Sequence, residues 1–307
     1  MSAVSGSSTR LKLWGVRGSI PVPGPATVRY GGNTACVEIR ADDEIIILDA
    51  GSGIRELGLA LDKEFGSRSI DLSLLITHAH WDHIQGFPFF TPAYNDNNQI
   101  RIFGYNGADR GLQGIFKEQM VTPFFPIDLC ELPSRIQFET PASMKFTIGK
   151  VDVLAHRMNH PGMCVGYRVV TSRGSIAYLP DHESYDAFKL HSSQSDLLSP
   201  KETRERSRTD REELVQFLHD SDVLILDSQY TDEEYQGHVG WGHGSLSSAV
   251  SLAFDAGVGK LILFHHDPAH DDETIDRMVQ TARELAAKSK TELGVEGARE
   301  GAEIVLK

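Results

Sequence analysis

Three imidazoles and one carboxylate occupy six consecutive residues, His78-Ala79-His80-Trp81-Asp82-His83. Neutral imidazoles are nitrogen donors and a carboxylate is an oxygen donor, the set that suits Zn²⁺ and similar cations. The i, i+2 spacing lets His78 and His80 face one ion, while Asp82 and His83 point past it towards a second. Such a density of ligands in so short a run is unlike the isolated histidines of a polar surface loop. Further groups of the same kind follow apolar runs. His160 lies in Asn159-His160-Pro161-Gly162, Asp181 follows Pro180, and His265-His266 follow Leu261-Ile262-Leu263-Phe264. His243 sits in the Gly-flanked stretch Gly242-His243-Gly244-Ser245, where the backbone can approach a ligand closely.

These groups need rigid supports, and the apolar runs are the supports. Asp71 to Thr77 reads as a buried strand that delivers the six-residue run to a strand end. Leu11 to Val16, Ala35 to Arg40, Glu44 to Leu48, Gln99 to Tyr105, Phe146 to His156, Val165 to Val170, Ser175 to Leu179, Val223 to Leu226 and Leu261 to Phe264 also read as strands. Helices are expected over Ile54 to Phe65, Arg110 to Val121, Glu212 to Leu218, Ser245 to Ala256 (with Ser245 as N-cap) and Thr274 to Ser289. Asp49-Ala50-Gly51-Ser52-Gly53 lacks the Lys and the spacing of a phosphate cradle and reads as a tight turn beside the ligand run. Asp49 is either a turn residue or the acceptor that fixes a ligand histidine. Residues 184–211 are rich in charge, Ser and Leu and read as a solvated loop or helix face. Thr122-Pro123-Phe124-Phe125-Pro126 is a bulky loop, a candidate lid or homodimer contact. Ligands at strand ends of a rigid sheet suit a preorganised site. Strand-rich halves separated by helices fit an α/β fold of two packed sheets with helices outside. No repeat or linker divides the chain. Met1 to Arg10 reads as a disordered terminus and 11–307 as one domain.

The six-residue run matches the HxHxDH signature of the metallo-β-lactamase superfamily, and from Leu11 to about Met278 the chain resembles that family's αββα sandwich. The resemblance implies two mixed sheets with helices outside. It implies one metal held by His78, His80 and His160 and a second held by Asp82, His83 and His265, with Asp181 between them. His266 competes with His265 for the last place, and the position directly after the strand favours His265. His182 stays outside the ligand set. Within the superfamily the chain is similar to the phosphodiesterase branch, which includes RNase Z and phosphoribosyl cyclic phosphate diesterases. The marks are Ser175-Ile176-Ala177-Tyr178 before Asp181, Asp222 to Asp227, and His243, 22 residues before His265. By that resemblance His243 and Asp82 are catalytic. RNase Z carries an arm for tRNA between the counterparts of His160 and Asp181. Here those residues are 21 apart, and the phosphoribosyl diesterases' cysteine cluster is absent too.

Composition narrows the function further. The chain has 307 residues and a formal charge of −13, which argues against broad nucleic-acid binding through Lys and Arg. Bound cations would reverse that charge locally and still admit a phosphate ester. No apolar run approaches the ~20 residues of a membrane helix, and the start has no signal-peptide core. Three cysteines, Cys36, Cys130 and Cys164, outside CxxC spacing, read as core residues of a protein in a reducing compartment, the cytoplasm. The expected function is a hydrolase with two divalent ions, Zn first and Mn or Fe next, acting on a small or cyclic phosphodiester rather than on tRNA. Two cations roughly 3.5–4 Å apart lower the pKa of a water for attack on phosphorus, and His243 protonates the leaving oxygen. Two other readings stand beside it: a thioester, lactone or lactam hydrolase on the same metals, and a metal-containing signalling module without turnover.

Overall fold

The computed structural model describes residues 8–105, 111–185, 190, 199–288 and 292–307. The first sheet contains β1 (Thr9–Gly15), β2 (Cys36–Ala41), β3 (Glu44–Leu48), β4 (Asp71–Leu75), β5 (Gln99–Phe103), β6 (Arg135–Glu139) and β14 (Glu303–Leu306). The second contains β7 (Lys145–Ile148), β8 (Val151–Arg157), β9 (Val165–Thr171), β10 (Gly174–Leu179), β11 (Val223–Asp227), β12 (Lys260–Phe264) and β13 (Gly294–Gly297). Their orders are β14-β1-β2-β3-β4-β5-β6 and β13-β12-β11-β10-β9-β8-β7.

Strand direction explains where the candidate ligands meet. In the first sheet β3 and β4 are parallel, and β1 runs with β3 because both are antiparallel to β2. In the second sheet β10, β11 and β12 are parallel, and β8 runs with β10 because both are antiparallel to β9. The chain therefore leaves β1, β3 and β4 at one edge of the first sheet, and β8, β10, β11 and β12 at one edge of the second. Sites built on parallel strands collect at such carboxyl ends.

Alternation along each strand fills three apolar layers. Val223 and Ile225 of β11 face inward, where Tyr178, Ile262 and Phe264 meet Leu11, Leu13, Val37 and Leu48 of the first sheet. Leu224 and Leu226 face out onto α6 (Leu246–Asp255) and α7 (Asp272–Ala287) through Ala249, Ala253, Ile275 and Met278. On the other side Ile45 and Ile47 of β3 face Leu57 and Leu61 of α1 (Ile54–Phe65). Each such fully buried side chain stabilises the fold by about 1.5–3 kcal/mol relative to exposure. The result is the α/β sandwich expected, with two mixed sheets and helices outside. Among the described residues, no helix is long and apolar enough to cross a membrane.

Several local expectations change. β1 begins at Thr9, paired with Leu306, so the end of the segment expected to fray is a strand, while residues 1–7 lie outside the described ones. The stretch Phe146 to His156, expected to contain a strand, holds most of β7 and of β8, a hairpin that turns at Gly149. The short edge strands β6, β13 and β14 were not foreseen, because four- or five-residue half-exposed segments carry little pattern. Of the charged segment 184–211, residues 186–189 and 191–198 lie outside the described ones, and from Pro200 on it is the helix face that was one of its two expected forms: α4 spans Pro200–Leu218. Ser199 and Glu202 form a reciprocal capping box, Pro200 opens the first turn, and Lys201–Glu205, Arg206–Asp210 and Arg208–Glu212 pair at i, i+4. Cys36 and Cys164 are core residues, but Cys130 is exposed on a single turn whose apolar anchors are Leu129 and Leu132.

Candidate metal centre

The ligand run leaves β4 through Ile76 and Thr77 and turns into the one-turn helix α2 (Trp81–Ile84). The Gly-rich loop after β3 packs against it: the Ala50 N–H donates to the His83 carbonyl at 2.7 Å and the Gly86 N–H to the Ala50 carbonyl at 2.9 Å. That loop is a structural turn leading into α1. Its first residue, Asp49, does more. Its buried carboxylate accepts from the Thr77 N–H at 2.8 Å, the Tyr178 hydroxyl at 3.0 Å and His83 Nδ1 at 2.8 Å. Of the two roles the sequence left open for Asp49, the structure places it as the acceptor behind a histidine.

Three overlapping groups of donor atoms gather around Asp181. His78, His80, His160 and Asp181 form one, their donor atoms all within 4.8 Å of one another. Asp82, His83 and His265 form a second, and Asp181, His243 and His265 a third, under the same limit. Asp181 faces the first two with different oxygens. Its Oδ2 lies 3.5 Å from His78 Nε2 and 3.5 Å from His160 Nε2, and its Oδ1 lies 3.0 Å from His83 Nε2 and 3.3 Å from His265 Nε2. Every member of the first two groups except His80 is buried, and His80 opens the cluster to solvent. His265 faces the cluster, whereas His266 turns away and donates from Nε2 to the Ala298 carbonyl at 2.8 Å. His182 lies apart, edge-on to Tyr185.

Whether a cation fits can be judged from the unpaired atoms. His78 Nε2, His83 Nε2 and Asp181 Oδ1 are buried without a hydrogen-bond partner, although His83 Nε2 and Asp181 Oδ1 are only 3.0 Å apart. Atoms that converge without pairing are costly when buried, and a cation shared among them removes the cost. The charge states agree. Burial, with the neighbouring imidazoles, holds His78 well below its ordinary range, and burial lowers His160 to about 4. Both are then neutral lone-pair donors at pH 7. Burial opposes ionisation of Asp82 and Asp181, but the surrounding histidines outweigh it and keep both carboxylates far below their usual range. Burial also opposes a charged His83, yet Asp181, Asp82 and Asp49 raise it well above 6.5. A cation arriving there would displace a proton. His/Asp clusters of this kind suit divalent metal ions.

His243 is the outer member of the third group. Its ring stacks on His265 at 4.9 Å between centroids and meets His160 edge-on at 5.3 Å. Its Nδ1 donates to Asp227 Oδ2 at 2.8 Å. Burial alone would lower its pKa, but Asp227 outweighs burial and raises it to about 9. Sequence reasoning missed the partners that hold these rings. Asp227 caps β11 and also accepts from the His182 N–H. Gln229 Oε1 accepts from His265 Nδ1 at 2.9 Å, and the Gly242 carbonyl accepts from His160 Nδ1 at 2.8 Å. Glu183, buried, accepts from the Gly240 and Gly242 N–H groups and from the Tyr235 hydroxyl, which fixes the loop carrying His243. The one available signal was position, since Asp227 and Glu183 follow apolar strands as the ligands do.

The family model described as "Beta-lactamase superfamily domain" matches residues 45–200. Ribonuclease Z of Thermoplasma acidophilum is 25% identical over 301 residues, covering 88% of this chain and 90% of the relative. Among solved structures, the metallo-β-lactamase fold protein YhfI of Bacillus subtilis superposes with a TM-score of 0.66 at 16% identity, covering 97% of this chain and 99% of that one. The short form of human tRNase Z superposes at 0.62 with 17% identity, covering 97% and 99%. The ribonuclease Z relatives overturn the expectation of a small diester rather than tRNA. The interval from His160 to Asp181 holds only the hairpin of β9 and β10, so it excludes an arm at that one place. The negative total charge averages the whole surface, while phosphate contacts depend on local cations. The chain belongs to the metallo-β-lactamase superfamily.

Proposed function

We propose that this chain hydrolyses phosphodiesters at a centre of two divalent ions, Zn first among the candidates and Mn or Fe next. One observation carries the proposal: Asp181 divides its two oxygens between two groups of converging donor atoms. His78, His80, His160 and Asp181 Oδ2 would hold one ion. Asp82, His83, His265 and Asp181 Oδ1 would hold the other. Such ions, when bound, supply positive charge that lowers the pKa of a water and offsets the charge building on phosphate oxygens.

The remaining work falls to side chains. Thr77, Asp49, Gly242 and Gln229 engage Nδ1 of His78, His83, His160 and His265, which turns each Nε2 inward. Asp227 does the same for His243, whose Nε2 then faces the centre as a protonated donor to the leaving oxygen. Asp82 is held in place by the Ser19 N–H at 2.8 Å. A small or cyclic diester and an RNA strand both present the required group, and the likeness to ribonuclease Z supports RNA as a substrate. Hydrolysis of a thioester, lactone or lactam is not favoured. The free cysteines support a reducing compartment, the cytoplasm.

The test is a turnover screen of metal-loaded protein against bis-p-nitrophenyl phosphate, cyclic nucleotides, a precursor tRNA, a thioester and a lactam, with elemental analysis alongside. Turnover of a diester by protein carrying two ions per chain is the expected result. Turnover of only the thioester or lactam would overturn the diesterase reading. Full activity at one ion per chain would overturn the dinuclear one.

A further inference from the structure

The stretch from Gly237 to Gly244 carries His243 on a backbone with little of its own to hold it. Four of its eight residues are glycines. Gly240 and Gly242 take φ +90 and +92, and the side chains of Val239 and Trp241 are exposed. Glycine leaves a chain freer than any other residue, so the place of His243 depends on what holds the loop from outside. Asp227 sets how the imidazole is turned, not where the loop delivers it. Glu183, fully buried, meets the loop backbone. Its Oε1 accepts from the Gly240 N–H at 2.6 Å and the Tyr235 hydroxyl at 2.9 Å, and its Oε2 accepts from the Gly242 N–H at 3.1 Å. On the other side of Gly242, its carbonyl accepts from His160 Nδ1 at 2.8 Å. The Glu183 backbone reaches the loop of His160 too. Its N–H donates to the Asn159 carbonyl at 2.9 Å, and its carbonyl accepts from Asn159 Nδ2 at 3.0 Å. Asp181 lies two residues before it.

From these contacts we infer that Glu183 is a positioning residue for diester hydrolysis: its carboxylate fixes the Gly240–Gly242 backbone and so sets the reach of His243 Nε2 to the leaving oxygen. The inference rests on the reading of His243 as proton donor in a phosphodiesterase. One residue touches the three loops that bring His160, Asp181 and His243 to the rim, so their spacing depends on it. The chemistry of the contact calls for a carboxylate. All three groups that face its oxygens can donate, and two of them, the backbone N–H groups, can do nothing else. A glutamine of the same shape would turn an amide N–H₂ against one of these donors and leave a buried group unpaired. The loop would then shift while the His243 ring kept its bond to Asp227. Displacement of a reacting group by about 1 Å can cost on the order of 10²-fold in rate, although Glu183 itself touches no substrate.

The experiment compares two diesters of similar shape on the protein in saturating Zn²⁺, with metal content measured alongside. Bis-p-nitrophenyl phosphate releases a group that leaves without protonation, and diphenyl phosphate releases one that needs a proton. The readout is the ratio of kcat for diphenyl phosphate to kcat for bis-p-nitrophenyl phosphate. A smaller folded or metal-loaded fraction lowers both rates alike and leaves the ratio where it was, so a merely structural role does not move it. Glu183→Gln should lower the ratio by about 10–100-fold, part of the usual worth of a positioned acid. Glu183→Asp keeps the charge on a side chain one methylene shorter. It should fall between wild type and Glu183→Gln, and it carries the test if the amide variant does not fold. In a His243→Ala background Glu183→Gln should move the ratio no further, as expected of residues that act as one unit. A ratio unmoved in the Glu183 variants but lowered in His243→Ala, or a further fall in the double variant, would overturn the role of Glu183 and leave that of His243 intact. No hydrolysis of either ester by the wild type, or a ratio unmoved in His243→Ala, would overturn the underlying reading and this inference with it.

Discussion

Five imidazoles around Asp181 share one arrangement: Nδ1 is engaged from behind and Nε2 faces inward. The partners are Thr77 for His78, Asp49 for His83, Gly242 for His160, Asp227 for His243 and Gln229 for His265. A hydrogen bond at Nδ1 selects the tautomer whose Nε2 carries a lone pair, the form a cation needs. For His243 the partner is a carboxylate, and its pKa of about 9 makes it the one among these best suited to give up a proton near neutrality. His243→Ala should therefore keep both ions and the fold while turnover of a diester with a poor leaving group falls by roughly 10²–10⁴. The loss should be much smaller for p-nitrophenolate, which leaves without protonation. Measuring kcat for both substrate kinds alongside metal content separates a proton donor from a ligand, since a ligand's removal would cost an ion. Asp181→Ala is expected to do just that. With the shared carboxylate gone, elemental analysis should find fewer than two ions per chain, and unchanged stoichiometry would show that Asp181 is not shared.

Each loop at this rim is shaped by the strand before it and sealed by the loop beside it. The segment after β1 crosses to the second sheet: the Gly18 N–H donates to the His266 carbonyl at 3.0 Å, and the Ser19 N–H to Asp82. A Cβ at Gly18 would stand 2.3 Å from His265 Nδ1, where nothing flexible can give way except the ring itself. Gly18→Ala should push His265 off Gln229 and out of its group. The expected outcome is weaker retention of one ion during dialysis and a matching fall in activity, with a circular dichroism spectrum like that of the wild type. Arg17, fully buried, ties the same region together by donating to the carbonyls of Gly31, Asp267 and His270 at 2.6 to 3.1 Å. Gly242 plays the corresponding part on the far side. It adopts φ +92, and a Cβ there would lie 2.6 Å from His160 Nδ1. Asp49 and His265 pass the chain out of β3 and β12 at φ 60 and 61, a left-handed conformation that non-glycine residues rarely adopt. Strain at both strand ends is held by the rigid sheets behind them.

Stacking this many imidazoles between two sheets makes the stability of the metal-free protein depend on pH in two opposite ways. His78, His160 and His266 have folded-state pKa values below the ordinary 6.5, with His160 at about 4 and His266 at about 3, because burial resists their charge. As pH falls from 6.5, the unfolded chain binds protons at these positions and the folded one does not. Stability is therefore lost, by about 1.4 kcal/mol per pH unit for each such proton. His83 and His243 are raised instead, so their contribution is complete below 6.5 and is lost as pH rises, for His243 through about 9. The chelated protein should thus have its highest melting temperature near pH 6.5–7 and a steep fall towards pH 4. Bound ions compete with protons for the same nitrogens, so loading with Zn²⁺ at pH 7 should raise the melting temperature and lessen the alkaline loss. Thermal melts across pH 4–9 with and without chelator would check this. A flat acid limb would mean that these histidines ionise freely in the folded state.

Much of this was legible in the chain alone. Ser245 caps α6 as its position suggested, and the run His78 to His83, His160, Asp181, His243 and His265, singled out by their types and positions, lie together around one rim. These signals are short-range: ligand density, capping and period-two burial are local properties of a few consecutive residues. The helix α4 is just as local: its end, Glu212 to Leu218, was read as a helix and its start as a loop or helix face, and the capping box at Ser199 and Glu202 marks where it begins. Other features had no local trace. Asp49 reaches a histidine 34 residues away and Gln229 one 36 residues away, partners that only the closure of two sheets on one rim brings together. The choice between His265 and His266 likewise depends on the turn at φ 61 and on the loop after β1 closing over it. Sequence spacing specifies which atoms can bind a cation, but the direction in which each ring points is set by backbone angles and by chain segments that arrive from the opposite sheet.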